Sequence, residues 1–304
     1  SNARCVSMLQ ALKSFVRDYK TPADKMISRD LAAKMNKQID FLAECRPLGF
    51  SMGNAIKHLK FLLTQLSPSV AEDEAKSLVI EAIDAYIQEK IVYADHALVN
   101  SAVTKISDGD VVMTYAYNHV VLSAFLKAHA QGKRFKVVVV DAGPQYEGRT
   151  FAKKLLAAGL GCWLIHINAI SFMISQVTKV FLGASAILSN GVVISRAGTA
   201  AVALIASSRN IPVIVCCETY KFNERVQLDS ITSNELGNPE GIACSWDGSL
   251  KPHMGGWQEQ GNMHLLNLVY DVTPADFVTM IVTEVGMVPP SSVPVILREY
   301  MRDT

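Results

Sequence analysis

From residue 4 to about 107, apolar residues recur every three or four positions, with almost no strict alternation, which predicts a helical region. Val6, Leu9, Leu12, Phe15 and Val16 form one apolar face. Met35, Ile39, Leu42 and Ala43 form a second, ended by Arg46-Pro-Leu-Gly49. Ile56, Leu59, Leu62, Leu63 and Leu66 form a third, stopped at Ser67-Pro68. Ser69-Val-Ala-Glu72 then has the form of a capping box, whose side chains satisfy free N–H groups at a helix start. The apolar side Ala75, Leu78, Val79, Ala82, Ile83, Tyr86, Ile87, Ala94, Ala97 and Leu98 predicts a long helix. Continued to Ile106, it spans roughly 35 residues and about 50 Å.

The period changes after the turn Ser107-Asp-Gly-Asp110. Strands are expected at Val111–Tyr115, Phe135–Val140, Cys162–Ile167, Val180–Leu182, Ile211–Cys216 and Leu265–Tyr270. Helices are expected at Val120–Ala130, Phe151–Ala158, Ser171–Thr178, after Thr199, and at Pro274–Glu284. Pro289, Pro290 and Pro294 forbid a further long helix. The alternation predicts an α/β chain: an N-terminal helical domain, then a doubly wound, mainly parallel Rossmann-like sheet. The expected domains are 1–107, where Ser1-Asn-Ala3 reads as an expression-tag remnant, and 108–304. Residues 218–263 are polar and irregular, as functional or interface loops often are.

Lys179 to Ala203 stands out within this pattern. A short apolar strand ends at Gly183-Ala-Ser185, Asn190-Gly191 marks a turn, and Gly198-Thr199 opens a helix. A strand feeding a helix N-terminus presents free backbone N–H groups, a natural anion site.

Composition adds mainly exclusions. A net charge of +1 without a basic run gives no support for nucleic-acid binding by bulk charge. No apolar run reaches membrane-spanning length. The six cysteines show no CxxC pair and no metal-ligand spacing, so neither a metal nor another cofactor is expected, and they read as reduced thiols of a cytosolic protein. The GxGxxG fingerprint, the P-loop, the GxSxG elbow and the HExxH helix are all absent.

The strand-end residues Asp141-Ala-Gly-Pro144, Glu147-Gly-Arg149, Gly183-Ala184, Asn190-Gly191 and Gly198-Thr199 follow the helical region in a distinctive order. They are joined by Arg46-Pro-Leu-Gly-Phe-Ser-Met-Gly-Asn-Ala-Ile-Lys57, Cys216-Cys-Glu-Thr-Tyr-Lys-Phe222, Glu224-Arg-Val-Gln227, Ser233-Asn-Glu-Leu236, Leu265-Leu-Asn-Leu-Val-Tyr-Asp-Val-Thr-Pro274 and Ser291-Ser-Val-Pro294. Over nearly the whole chain this set resembles the family that joins methylthioribose-1-phosphate isomerases, ribose-1,5-bisphosphate isomerases and the alpha, beta and delta subunits of translation initiation factor 2B. The later motifs look most like the delta branch.

The resemblance carries expectations about chemistry. Isomerases of the family use a cysteine after the first sheet strand and an aspartate directly after Gly-Ala, a pair suited to moving protons between sugar carbons. The matching positions here are Ala116 and Ser185, and Gly143-Pro144 replaces an Arg-Pro pair that contacts phosphate. Catalysis is therefore not expected. Arg149, Gly198 and Thr199 could still hold an anion, or could persist for packing alone. The alternative is an aldose-ketose isomerase of this fold, or a relative that binds sugar phosphate without turning it over.

The resemblance also implies partners. A regulatory or scaffold subunit of the exchange factor for initiation factor 2 would pair with a beta subunit and assemble with alpha, gamma and epsilon subunits. It would help sense phosphorylation on the alpha subunit of initiation factor 2. Arg46, Lys57, Lys60, Glu89, Lys90 and Tyr93 are the expected partner-binding residues. Tyr220, Phe222, Leu266, Leu268 and Tyr270 are the expected subunit interface, and a homodimer is the expected stand-in when the chain is isolated. Neither nucleic acid nor membrane is expected as a partner.

Overall fold

The computed structural model describes residues 2–22, 24–67, 70–229, 234–245, 249 and 254–300. The helical region comprises α1 (Asn2–Asp18), α2 (Ile27–Cys45), α3 (Phe50–Gln65) and α4 (Glu72–Tyr86). The chain then runs without a break through a π-helical stretch, Ile87–Tyr93, into α5 (Ala94–Val103). Ser69 lies outside the described residues. Glu72 is the first helical residue rather than the fourth of a box, and its carboxylate accepts from Thr21 N–H at 3.1 Å. Leu9, Leu12, Leu31, Leu59 and Leu63 are almost fully buried between these helices. Each such side chain stabilises the bundle by about 1.5–3 kcal/mol. Leu98, Val99, Ala102 and Val103 of α5 instead join the core that covers the sheet.

The sheet region contains β1 (Val111–Tyr115), α6 (His119–Ala130), β2 (Lys136–Asp141), α7 (Glu147–Ala157), β3 (Cys162–His166), α8 (Ile170–Met173), β4 (Lys179–Gly183), β5 (Ala186–Leu188), β6 (Val193–Arg196), α9 (Thr199–Ser208) and β7 (Val213–Cys216). After these come β8 (Phe222–Asn223), α10 (Glu240–Ala243), β9 (Tyr270–Thr273), β10 (Met280–Thr283), β11 (Gly286–Val288) and α11 (Val293–Tyr300). The main sheet has the order β11-β10-β7-β4-β1-β2-β3 and is parallel except for β11. Helices α5, α6 and α7 cover one face; α8, α9 and α11 cover the other. A smaller sheet, β8-β5-β6-β9, stands beside it.

Two elements differ from the sequence expectation. The last apolar run pairs as β9 at Tyr270–Thr273, several residues later than Leu265–Tyr270, because its partner β6 fixes the register through Val193–Thr273. Pro274–Glu284 is not a helix: a single turn, Ala275–Phe277, leads into β10, which lies parallel to β7. The β-branched run Thr279, Ile281, Val282 and Thr283 suits a strand buried on both faces. Pro294 sits in the first turn of the short helix α11, where its missing N–H costs nothing. Among the described residues, no helix is long and apolar enough to cross a membrane.

Candidate functional site

The Lys179–Ala203 stretch forms the floor of a cleft at the carboxyl ends of the main strands. β4 ends at Gly183, β5 and β6 form a hairpin, and α9 starts after Gly198. A Cβ at Gly183 would lie 1.7 Å from Asn118 Nδ2, so only glycine lets the Asn118 side chain cross the strand end. Gly198 has φ 107°, and a Cβ there would lie 2.2 Å from the Tyr115 hydroxyl. That hydroxyl donates to the Ala197 carbonyl at 2.5 Å. Ala116, directly after β1, holds φ 54°, so a sharp strand-end turn persists around a methyl group.

The helix opening is already occupied. Asp271 of β9 accepts from Gly198 N–H at 2.7 Å and from Ala200 N–H at 2.8 Å. Burial pushes its carboxyl up to about 6, against the opposing pull of these two amides. Thr199 is buried, and its hydroxyl donates to the Arg196 carbonyl at 2.6 Å. Arg149 stands apart from this pair: its guanidinium lies 3.9 Å from Asp141 Oδ2 and stacks 4.7 Å from the Tyr146 ring.

Above this floor lies a cavity of about 310 Å³, lined in part by Tyr115, Tyr117, Ser185, Arg196, Thr199 and Tyr270. A second, of about 360 Å³, shares Arg4, Ser185 and Tyr270 with it and reaches α3. Phe172 is exposed and lines neither. Three of the arginines that line these spaces, Arg4, Arg46 and Arg196, have carboxylate partners from the same chain, while Arg225 lies over the Phe50 ring, 6.0 Å from its centre. Glu235 accepts from Arg4 Nη1 at 3.1 Å and from Arg46 Nε at 2.5 Å. Glu147 pairs with Arg196 through two hydrogen bonds, one of 2.9 Å. None of Asp271, Glu235 and Glu147 was singled out as a ligand of these groups from the sequence. The signal available was a carboxylate inside a family motif, which does not identify the group it will meet.

At the end of β7, Glu218 and Lys221 form an ion pair with 2.5 Å between Oε2 and Nζ, and both side chains are buried. Burial alone would neutralise them. Their mutual attraction prevails, holding the carboxyl below its usual range and the ammonium above its own. Cys216 beside them is buried, and desolvation pushes its thiol up to about 12, far from a reactive thiolate.

The other sequence-predicted residues separate into groups. Arg46 and Lys57 line the cleft, and Lys57 lies 3.6 Å from Glu224. Glu89, Lys90 and Tyr93 sit exposed on the π-helical stretch, and Lys60 is exposed on α3. Two expected interface residues need correction. Tyr220 packs into the helical core edge-on to Tyr86, and Phe222 lies in the sheet core, so neither side chain is offered to a partner. Both sit in a stretch that follows β7 back under α3, where Asn54 donates to the carbonyls of both residues. Leu266 is exposed, and Leu268 and Tyr270 are half-buried.

A helical bundle set on a mainly parallel sheet, with a strand-end cleft between them, defines an α/β chain built around a small-molecule-sized cavity. A model described as the initiation factor 2 subunit family matches residues 1–290. The chain belongs to this family. It is 43% identical over 303 residues to translation initiation factor eIF2B subunit delta of Schizosaccharomyces pombe, covering 99% of this chain and 65% of that protein. It is also 43% identical over 306 residues to the subunit of the same name from Dictyostelium discoideum, covering 100% of this chain and 49% of that one. The chain thus spans 49% to 65% of the length of these relatives. Ribose 1,5-bisphosphate isomerase of Pyrococcus furiosus is more distant, 30% identical over 275 residues, covering 90% of this chain and 82% of the enzyme. Among solved structures, the tetrameric eIF2B-beta2-delta2 complex from C. thermophilum matches with a TM-score of 0.83 and 33% identity, over 93% of this chain and 85% of that one.

Proposed function

We propose that this chain is a non-catalytic regulatory and scaffold subunit of the guanine-nucleotide exchange factor for initiation factor 2, acting in the cytosol. The observation that carries this reading is the state of the cleft. By the family resemblance, Ala116 and Ser185 take the positions where its isomerases need a thiol and a carboxylate, and Glu235 and Glu147 hold Arg4, Arg46 and Arg196 at the cleft. A serine cannot serve as a carboxylate base, and an arginine already paired is a poorer phosphate ligand.

In this reading the chain pairs with a beta subunit and assembles with the alpha, gamma and epsilon subunits. The exposed Leu266 and the half-buried Leu268 and Tyr270 contribute to the pairing surface. Lys60, Glu89, Lys90 and Tyr93 of the helical region face the alpha subunit of initiation factor 2. A phosphate on that partner adds roughly −1.5 to −2 charge and changes the contact with these side chains. In this reading α1 to α4 and the π-helical stretch form the regulatory part, while α5, expected on the helical side of a division at residues 107 and 108, packs with the sheet half.

The test has two arms. Purified chain is assayed for aldose-ketose isomerisation of methylthioribose-1-phosphate and ribose-1,5-bisphosphate, and no turnover is expected. Robust turnover returns the chain to the isomerases of its family. Co-purification with a beta subunit is expected in the second arm, and failure to associate refutes the scaffold role. Light scattering of the isolated chain is expected to show a homodimer at tens of micromolar.

A further inference from the structure

Strand β3 has the sequence of an interior strand and the position of an edge. Cys162-Trp-Leu-Ile165 is apolar without alternation, as in strands covered on both faces. Yet β3 is last in the sheet and pairs only with β2 among the described residues. Trp163 and Leu164 register with Val138 and Val139, which belong to the cores on opposite faces, so apolar side chains flank the edge on both sides. Trp163 is 43% exposed and Leu164 46%, and the nearby Leu156 of α7 and Phe172 of α8 are more open still.

The other edge is protected in the usual ways: β11 is three residues long, antiparallel, and followed by Pro289-Pro290. β3 contains neither proline nor lysine, and ends in His166.

The charge at the start of this edge is basic, and at its far end Arg149 is paired with the buried Asp141. Lys136 lies 5.8 Å from the centre of the Trp163 ring at the start of the strand. A cavity of about 530 Å³ begins there, lined among others by His129, Lys133, Arg134, Lys136 and Leu160. Its one carboxylate, Asp110, is paired with Lys179 at 2.7 Å. At the far end, Tyr146 packs edge-on to His166 and carries Arg149 on its ring.

We propose that the open edge of β3, with the basic cavity at its start, is a docking strip for an extended, acidic segment of a partner protein, added as a further strand of the sheet. Backbone pairing would supply affinity, Leu164 would seat apolar side chains on one face, and on the other Lys136, beside Trp163, would select acidic ones. A second copy of this chain fits less well. Antiparallel β3–β3 pairing sets the Lys136 end of one copy beside the Asp141–Arg149 pair of the other, which offers Lys136 no net acidic partner.

The experiment uses the whole chain and a labelled ten-residue peptide alternating Val and Glu, with two controls: Lys in place of Glu, and alternate backbone amides N-methylated. Saturable binding of the Glu peptide is expected, weakened by salt, with no binding of either control. Trp163→Glu should abolish it. Lys136→Glu, an exposed change that leaves the fold intact by circular dichroism, should weaken it roughly three- to tenfold. No saturable binding of the Glu peptide, or equal binding of either control, overturns the proposal. So does sedimentation showing that Trp163→Glu dissolves a homodimer, since the occupant is then a second copy.

Discussion

The Asp271 carboxylate accepts the Gly198 N–H at 2.7 Å, closing the opening of α9 from a strand 73 residues further along the chain. The family's strand-to-helix passage therefore carries its own anion. Asp271→Ala should cost about 1 kcal/mol as a lost cap, read from the urea midpoint. The pH dependence has a definite sign. With a folded pKa of about 6, above the ordinary value of 3.8, the native chain binds this proton more tightly than the unfolded chain does. This group therefore adds stability as pH falls from 7 to 4 and withdraws it as pH rises through 6. Asp271→Asn, which keeps an accepting oxygen, should flatten that profile by up to about 3 kcal/mol between pH 4 and 8. An unchanged profile would show that the carboxyl titrates normally.

The course of the chain through this region was legible because its punctuation is local. Asn190-Gly191 and Gly198 need particular backbone conformations, and each residue type announces them. The strand at Met280–Thr283 was missed because a short apolar run fits helix and strand alike, and only its neighbour β7 decides. The carboxylates that fill the cleft were illegible for another reason. Glu235 meets Arg46 across 189 residues and Glu147 meets Arg196 across 49, distances at which sequence gives no pairing rule. Tyr220 is expected at a subunit interface only through the family resemblance, and its burial exists once the helical bundle closes over it.

The buried Glu218–Lys221 pair makes a sharper prediction. Lys221→Met leaves an uncompensated carboxylate in the interior and should destabilise the fold by about 3–5 kcal/mol. Replacing both, Glu218→Gln with Lys221→Met, should recover much of that loss, because no net charge then remains buried. Thermal unfolding followed by circular dichroism separates the two. A double variant no better than the single one would mean that shape rather than charge is at stake.

Glu235 holds two arginines from different elements, Arg4 of α1 and Arg46 after α2. Arg46 is 57% exposed, so solvent screens much of the attraction, and Glu235→Gln should cost only about 1 kcal/mol. The more informative consequence is at the cleft. With the carboxylate gone, Arg4 and Arg46 become available to an added anion. Millimolar phosphate should then raise the melting temperature of Glu235→Gln while leaving the parent chain unmoved. An equal rise in both proteins would place the responsive site elsewhere.

Gly183 and Asn118 form the tightest contact of the cleft floor. A methyl group at residue 183 would overlap the Asn118 amide, at 1.7 Å from Nδ2 and 2.8 Å from Cβ. Asn118 is not free to retreat, because its Oδ1 accepts from Val121 N–H at 3.1 Å and caps α6. Gly183→Ala must therefore either displace that cap, at about 1 kcal/mol, or bend the strand end, at about 1–3 kcal/mol. Asn118→Gly removes the obstructing side chain and the cap together. If the overlap is the cause, Gly183→Ala should cost markedly less in an Asn118→Gly background than alone, a coupling of about 1 kcal/mol or more in a double-mutant cycle on urea midpoints. Strictly additive losses would assign the cost of Gly183→Ala to the strand end itself and leave Asn118 as a helix cap with no part in shaping the cleft.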